Sequence, residues 1–315
     1  MDYSQWEHWQ QTAGSLRTLF DAFLAGNGEQ FDISRIIKRD LISDDGASII
    51  PNLHLLPSHL ALVLIDIQLA AKAAVGEAIF SSQAVIRQAL QRVQDQYDYI
   101  IFDCPPNFNL ITQNGLFASD SYVIPAIPDY LSTLGISLIQ GEVSDFSERI
   151  GTALSMFGSS FSGPELLGVI FNRVRLRSKK PLRFIDLHER RIHEVHRTNP
   201  GLAFKSFLSE SVRYAEAPER HMPVCLSSRK EEREAKAEIL HLAKEFLARF
   251  EQPGLQQEAS ADAASGPAPI KLYAPAMTQN ETSPTQGRHA DAETSVSGTT
   301  LETTAETITL AAKSS

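Results

Sequence analysis

The 315-residue chain is 43% hydrophobic and carries a formal net charge of -9. That apolar content excludes wholesale disorder, and the acidic balance excludes a molecule that binds nucleic acid over its whole surface. Two cysteines far apart, Cys104 and Cys225, exclude a disulfide framework or a cysteine zinc site and fit a reducing, cytoplasmic setting.

The amino terminus has no apolar run after a basic start, so it is not read as a signal peptide. Leu16, Leu19, Phe20, Phe23 and Leu24 give the first stretch a helical apolar face. Leu53 to Leu56 reads as a short strand ending at Pro57, followed by a helix over about 60–78. The apolar residues 60–67 are interrupted by Asp66 and fall far short of the ~20 that span a bilayer. A second helix, about 82–96, sets Val85, Ile86, Ala89, Leu90 and Val93 on one face. Residues 97–103 form a strongly apolar strand closing on Cys104-Pro105-Pro106. Further strands are predicted at 121–127, 166–174 and 203–208. The last helix is predicted to start at Ser228, with Glu231 at capping-box spacing, and to present Ile239, Leu242, Ala243, Phe246, Leu247 and Phe250. From Glu251 onward Gln, Ala, Ser, Thr, Pro and Gly take over, a composition read as a disordered tail, so the division is 1–250 folded and 251–315 tail. Apolar strands separated by helices imply an α/β fold: a mostly parallel sheet with helices on both faces.

One element carries chemistry. In such sheets ligands sit outside the carboxyl ends of the strands, where Asp103 would hold Mg²⁺ beside a phosphate. The strand alone leaves a second reading open, an aspartate that merely ends a strand and caps a turn. His188, His193 and His196 lie near one another, but their spacing gives no helical metal face, and they are read as lining a polar surface. Cys104 is read as a packed thiol.

The segment YDYIIFDCPPNFNL at 97–110 and its continuation to 139 closely resemble the Walker B region of ParA/Soj-type partition ATPases, relatives of MinD. NLHLLPS at 52–58, GVIFNRV at 168–174, FLSESVRYAEAPERHMPV at 207–224 and the closing helix extend the resemblance over about residues 50–250. It implies a P-loop NTPase type fold, with ATP and Mg²⁺ as cofactors. It implies Asp103 as the catalytic and metal-supporting carboxylate, and Pro105, Pro106 and Asn107 as the switch that senses the terminal phosphate. Asn172 matches the position near the adenine, and Ser209 and Ser211 lie in a nucleotide-side loop. There Glu210 stands where relatives often carry arginine. Thr112 and Asn114 match the following helix and are read as surface or capping residues.

The family's Gly-rich loop ending in Gly-Lys-Ser/Thr is not found in the sequence, nor is the strand ending in an Asp-Pro-Gln type motif. The resemblance therefore implies a chain lacking the amino-terminal P-loop strand, most simply through a misplaced start codon. Such a chain would have an unpaired apolar edge in mid-sheet, beside the strand of Asp103. Residues 171–197 hold nine Lys/Arg against three acids. Arg173, Arg175, Arg177, Lys179, Lys180 and Arg183 are the candidate contacts to a phosphate backbone, with a solvated charged face as the other reading. The function implied is plasmid or chromosome partitioning by a nucleoid-associated ATPase. It would dimerise with ATP, bind DNA nonspecifically and answer to a centromere-binding ParB-like partner. The alternatives are an inactive paralogue that pairs with a full-length ParA-like protein, and a positioning ATPase for another cargo. Residues 300–315 are Thr-rich rather than basic and amphipathic, so membrane docking is not expected.

Overall fold

The computed structural model describes residues 8, 11–39, 52–74, 79–179, 182–220, 222–251 and 308–313. The helices of the first half are α1 (Leu16–Leu24), α2 (Leu62–Ala74), α3 (Ile79–Gln83) and α4 (Val85–Leu90). Strand β1 (Tyr99–Cys104), α5 (Leu110–Ala118), β2 (Ser121–Ala126), α6 (Tyr130–Ser155) and β3 (Glu165–Val174) follow. A hairpin of β4 (Leu176–Lys179) and β5 (Leu182–Phe184) leads into α7 (Asp186–Thr198). The chain continues through β6 (Ala203–Ser209), α8 (Val212–Glu219), α9 (Arg233–Glu251) and β7 (Ile308–Lys313).

The main sheet has the order β1-β7-β2-β3-β6. β2, β3 and β6 are parallel, and β7 runs antiparallel to both of its neighbours. β1 therefore points the same way as β2, and the carboxyl ends of β1, β2, β3 and β6 share one rim. This is the α/β architecture expected, with helices on both faces. The alternation of side chains along β2 sorts the cores. Tyr122, Ile124 and Ala126 face a cluster with Ile136, Val143, Phe146 and Ile150 of α6 and Val195 of α7. Val123 faces the other way, toward Phe204, Leu242, Phe246 and Phe250. A third cluster packs Leu19, Phe20, Ile65, Leu69, Ile86 and Leu90 against Ile100 and Phe102 of β1.

Several elements differ from the sequence reading. The segment 53–56 is not a sheet strand: Leu55 alone pairs, exchanging two backbone hydrogen bonds with Lys38 at 2.8 and 2.9 Å. The helix expected over 82–96 breaks at Ala84 and again after Leu90. At the first break, Asn114 of α5 intervenes. Its Oδ1 accepts the Ile86 N–H at 3.2 Å and its Nδ2 donates to the Ser82 carbonyl at 2.7 Å. Those two backbone groups would bond each other in a continuous helix, so the carboxamide replaces that bond.

The last helix begins at Arg233, not Ser228, after a tight 3₁₀ turn over Lys230–Glu232. Glu232 is buried there, held by Arg220, and Ser227 rather than Ser228 accepts a local N–H, that of Arg229. Within the stretch read as a disordered tail, Ile308–Lys313 is a strand, and residues 252–307 lie outside the described residues. β7 also pairs at the place beside β1 where an unpaired edge was expected.

The outer edge of the sheet is managed by α9. β6 is an end strand, and its free N–H groups would template a further strand. Glu245 accepts the Lys205 and Ser206 N–H groups at 2.9 and 2.7 Å, and Glu238 accepts that of Ser209 at 2.9 Å. Arg249 donates to the carbonyls of Leu167, Gly201, Leu202 and Ala203 and stacks on Phe204, 4.0 Å from the ring centroid. Gly168 makes that close approach possible. Its φ is +151°, and a Cβ there would sit 2.4 Å from the Leu202 carbonyl oxygen.

Candidate functional site at the carboxyl rim of the sheet

Asp103 is exposed and sits one residue before the end of β1, at the rim. The next residue, Cys104, turns inward, and burial pushes its thiol up to about 12, which makes it inert packing. The loop that follows is tied to its own helix. The Asn107 N–H donates to the Pro105 carbonyl at 2.8 Å, and its Oδ1 accepts from the Thr112 hydroxyl at 3.2 Å. Asn109 caps α5 by accepting the Thr112 N–H at 3.1 Å. Thr112 and Asn114 are fully buried, so the expectation that they lie on the helix surface is corrected. Thr112 does serve the cap, and Asn114 is an internal strut.

In the sequence Asp66 stands out only as the residue that interrupts an apolar run. Half-buried on α2, it accepts the Ile111 N–H at 3.3 Å, in the first turn of α5. Burial raises its carboxyl above the ordinary range, against hydrogen bonds from Ile111, Leu110 and Asn109. A carboxylate thus occupies the amino-terminal turn of α5, a position that also suits a phosphate.

Along the rim, Asp129 caps α6 through the Ser132 N–H at 2.8 Å. Asn172 lies two residues from the end of β3, with its Oδ1 shut off from solvent and no hydrogen-bond partner among the described residues. β1 and β3 are three strand positions apart, about 14 Å across the sheet, and the register sets Asn172 four residues beyond the row of Asp103, so the two side chains do not meet. Arg173 beside it has φ +49°, an uncommon conformation for a residue with a side chain. Ser209 and Ser211 take local roles. The Ser209 hydroxyl donates to Glu238 at 2.7 Å, and Ser211 caps α8 through the Arg213 N–H at 3.3 Å. Tyr214 also donates to Glu238, at 2.9 Å, and burial and that bond together raise its phenol.

The basic candidates extend from β3 into the hairpin, and acids meet most of them. Glu210 binds Arg175 at 2.7 Å and approaches Arg173 at 3.9 Å. Arg177 pairs with Asp186 at 3.4 Å, and Lys179 pairs with Glu234. Arg183 is exposed with no acidic partner among the described residues, and Lys180 lies outside them. His188 does not line a polar surface. It is buried, and its Nδ1 accepts the Arg175 N–H at 3.0 Å, which holds the root of the hairpin. Burial, then the charge of Arg175, lowers its basicity. Among the described residues no three His, Cys, Asp or Glu side chains cluster as a metal site. No helix among them is long and apolar enough to cross a membrane.

A family model described as an AAA domain matches residues 20–156. The chain is similar to the sporulation initiation inhibitor protein Soj of Bacillus subtilis (strain 168), 28% identical over 228 residues, which cover 70% of this chain and 79% of that protein. It is similar to the chromosome-partitioning ATPase Soj of Treponema pallidum (strain Nichols), 26% identical over 170 residues, 52% of this chain and 57% of that one. Among solved structures, the ATP complex of a Cyanothece McdA variant superposes with a TM-score of 0.51 at 19% identity, over 74% of this chain and 76% of that one. At that identity the superposition carries the fold.

Proposed function

The chain belongs to the ParA/Soj-type ATPase family, and on that premise we propose that it serves a partitioning or cargo-positioning system and engages ATP and Mg²⁺ at the rim incompletely by itself. The carrying observation is Asp103, exposed at the carboxyl end of β1 and followed by the self-tied loop through Asn107.

The residues present fit a nucleotide at two points and not at a third. The Oδ1 of Asn172, without a hydrogen-bond partner among the described residues, has the chemistry to accept from a donor such as an adenine amino group, which would first have to uncover it. The exposed carboxylate of Asp103 suits Mg²⁺ through water. The phosphates find little, because the Ile111 and Thr112 N–H groups of α5 are already held by Asp66 and Asn109. The sequence also has no glycine followed by lysine. A carboxylate beside a polyphosphate repels it unless a metal intervenes. ATP, when bound, would supply the phosphate-linked energy that drives dimerisation in such a system. The residues of this chain would orient its base and its metal. No hydrolytic step is assigned to them.

On this reading the working unit is a dimer with a second ParA-like chain that supplies the phosphate-binding loop. Its localisation is cytoplasmic and on the nucleoid, and a centromere-binding ParB-like protein is its regulator. ATP turnover by the purified chain, alone and mixed with a full-length ParA-like protein, tests this. We expect no turnover above background alone. Robust turnover alone, lost in Asp103→Ala, would overturn the assignment of an incomplete site. An in-frame coding stretch for a Gly-Lys-Gly-Gly-Val-Gly-Lys-Thr-like loop upstream of Met1 would overturn the accessory reading.

A further inference from the structure

β1, which carries Asp103, has only one strand neighbour among the described residues, and that neighbour is β7. All six residues of β1 pair with it, from Tyr99 opposite Lys313 to Cys104 opposite Ile308. On its other side β7 pairs with Ser121, Tyr122 and Val123 of β2. Among the described strands, β1 and β2 share no ladder of their own. Remove β7 and the sheet divides into a lone β1 and a parallel β2-β3-β6, with two facing rows of unpaired N–H and C=O groups in its interior.

We propose that the gap between β1 and β2 is a strand-acceptor site and that the segment Ile308–Lys313 of the same chain is its occupant, a closing strand that fixes Asp103 to the rest of the rim. The sequence supports the choice of occupant. Ile308-Thr309-Leu310-Ala311-Ala312 is a β-branched and apolar run in a stretch otherwise dominated by polar and small residues. The position is central, where a buried backbone group without a partner costs free energy comparable to a lost hydrogen bond. The direction is informative as well. β7 is antiparallel in a sheet whose other strands are parallel, so it arrives as an added strand would, not as the product of a βαβ crossover.

The register ties the strand to the site. Thr309 lies opposite Asp103 and Ile308 opposite Cys104, so the segment enters the sheet at the rim and runs away from it. Its insertion and the placement of Asp103 are therefore one event. Strand pairing at this gap does not depend on whether a nucleotide binds.

Hydrogen–deuterium exchange on the full chain tests the proposal. We expect amides of 308–313 to exchange on the order of 100-fold more slowly than in a free peptide of the same sequence. Removal of residues 308–315 should unprotect Tyr99–Cys104 and lower the Tm, and a peptide carrying residues 306–315 added in trans should restore both. The same peptide with Ala311→Pro should not, because Ala311 pairs with Ile101 on one side and Ser121 on the other and proline has no N–H to give. Free-peptide exchange rates at 308–313 in the intact chain would overturn the proposal whether or not the truncated variant folds. So would unchanged protection of β1 after truncation. Protection that appears only with rising protein concentration, together with a dimer mass, would overturn the intrachain form in favour of exchange between copies.

Discussion

The carboxamide of Asn114 bridges the break between α3 and α4. Fully buried, it stands between Ser82 and Ile86 and makes a third bond to the Leu110 carbonyl at 2.9 Å. Asn114→Leu keeps the volume and deletes the carboxamide, leaving the Ile86 N–H and the Ser82 carbonyl to find each other or go unpaired. A buried unsatisfied group costs about 1–3 kcal/mol. We expect a loss of about 2–4 kcal/mol in urea unfolding, since two such groups are at stake. A variant as stable as the parent would mean that the two helical pieces rejoin without strain. Nothing near Ser82 in the sequence announces this contact, because the partner arrives from thirty residues away. Asp66 was hidden for the same reason: its meaning depends on the turn of α5 that it meets. Asp103 was legible because an apolar strand delivers it, and strand and carboxyl rim follow from local pattern.

At the scale of elements, the strands 99–104, 121–126, 165–174 and 203–209 were readable from apolar runs bounded by turn residues. What periodicity could not supply is where an element stops when tertiary contacts decide it, as at Ala84 and Arg233. The edge of β6 is another such case, since its protection comes from Glu238 and Glu245 on a helix far along the chain. Glu245 makes this edge sensitive to acid. Burial pushes its carboxyl up, but the hydrogen bonds from Lys205 and Ser206 and the charge of Arg249 outweigh it and hold the group below its ordinary 4.5. A carboxyl lowered in the folded state binds fewer protons there than when unfolded. Its contribution is therefore complete above about pH 4.5 and fades as the pH falls through the folded value. Glu245→Gln should lower the Tm at pH 7, and the gap from the parent should narrow toward pH 3. An unchanging gap across that range would mean that the carboxylate's charge has no part in holding the edge.

For the whole molecule, the tension is between a net charge of -9 and a basic hairpin on the rim. A field of that sign repels DNA at long range, so the DNA binding proposed for this chain requires a local patch, screened over about 10 Å at 0.1 M salt. Counting charges along the sequence overstated that patch, because Arg173 and Arg175 face Glu210, Arg177 faces Asp186 and Lys179 faces Glu234. These pairs are exposed and labile, and a phosphate backbone can compete for the cations. If DNA binding follows this route, Glu210 is its internal competitor, occupying the arginines that the resemblance would otherwise offer. Glu210→Gln should then tighten retention on nonspecific duplex DNA and steepen its salt dependence, since two more cations become available to displace counterions. Arg183→Ala, which removes a cation with no acidic partner among the described residues, should weaken retention and reduce the slope by about 1. Retention measured between 50 and 200 mM salt separates these outcomes. If both variants match the parent, the hairpin is a solvated charged face and carries no DNA contact.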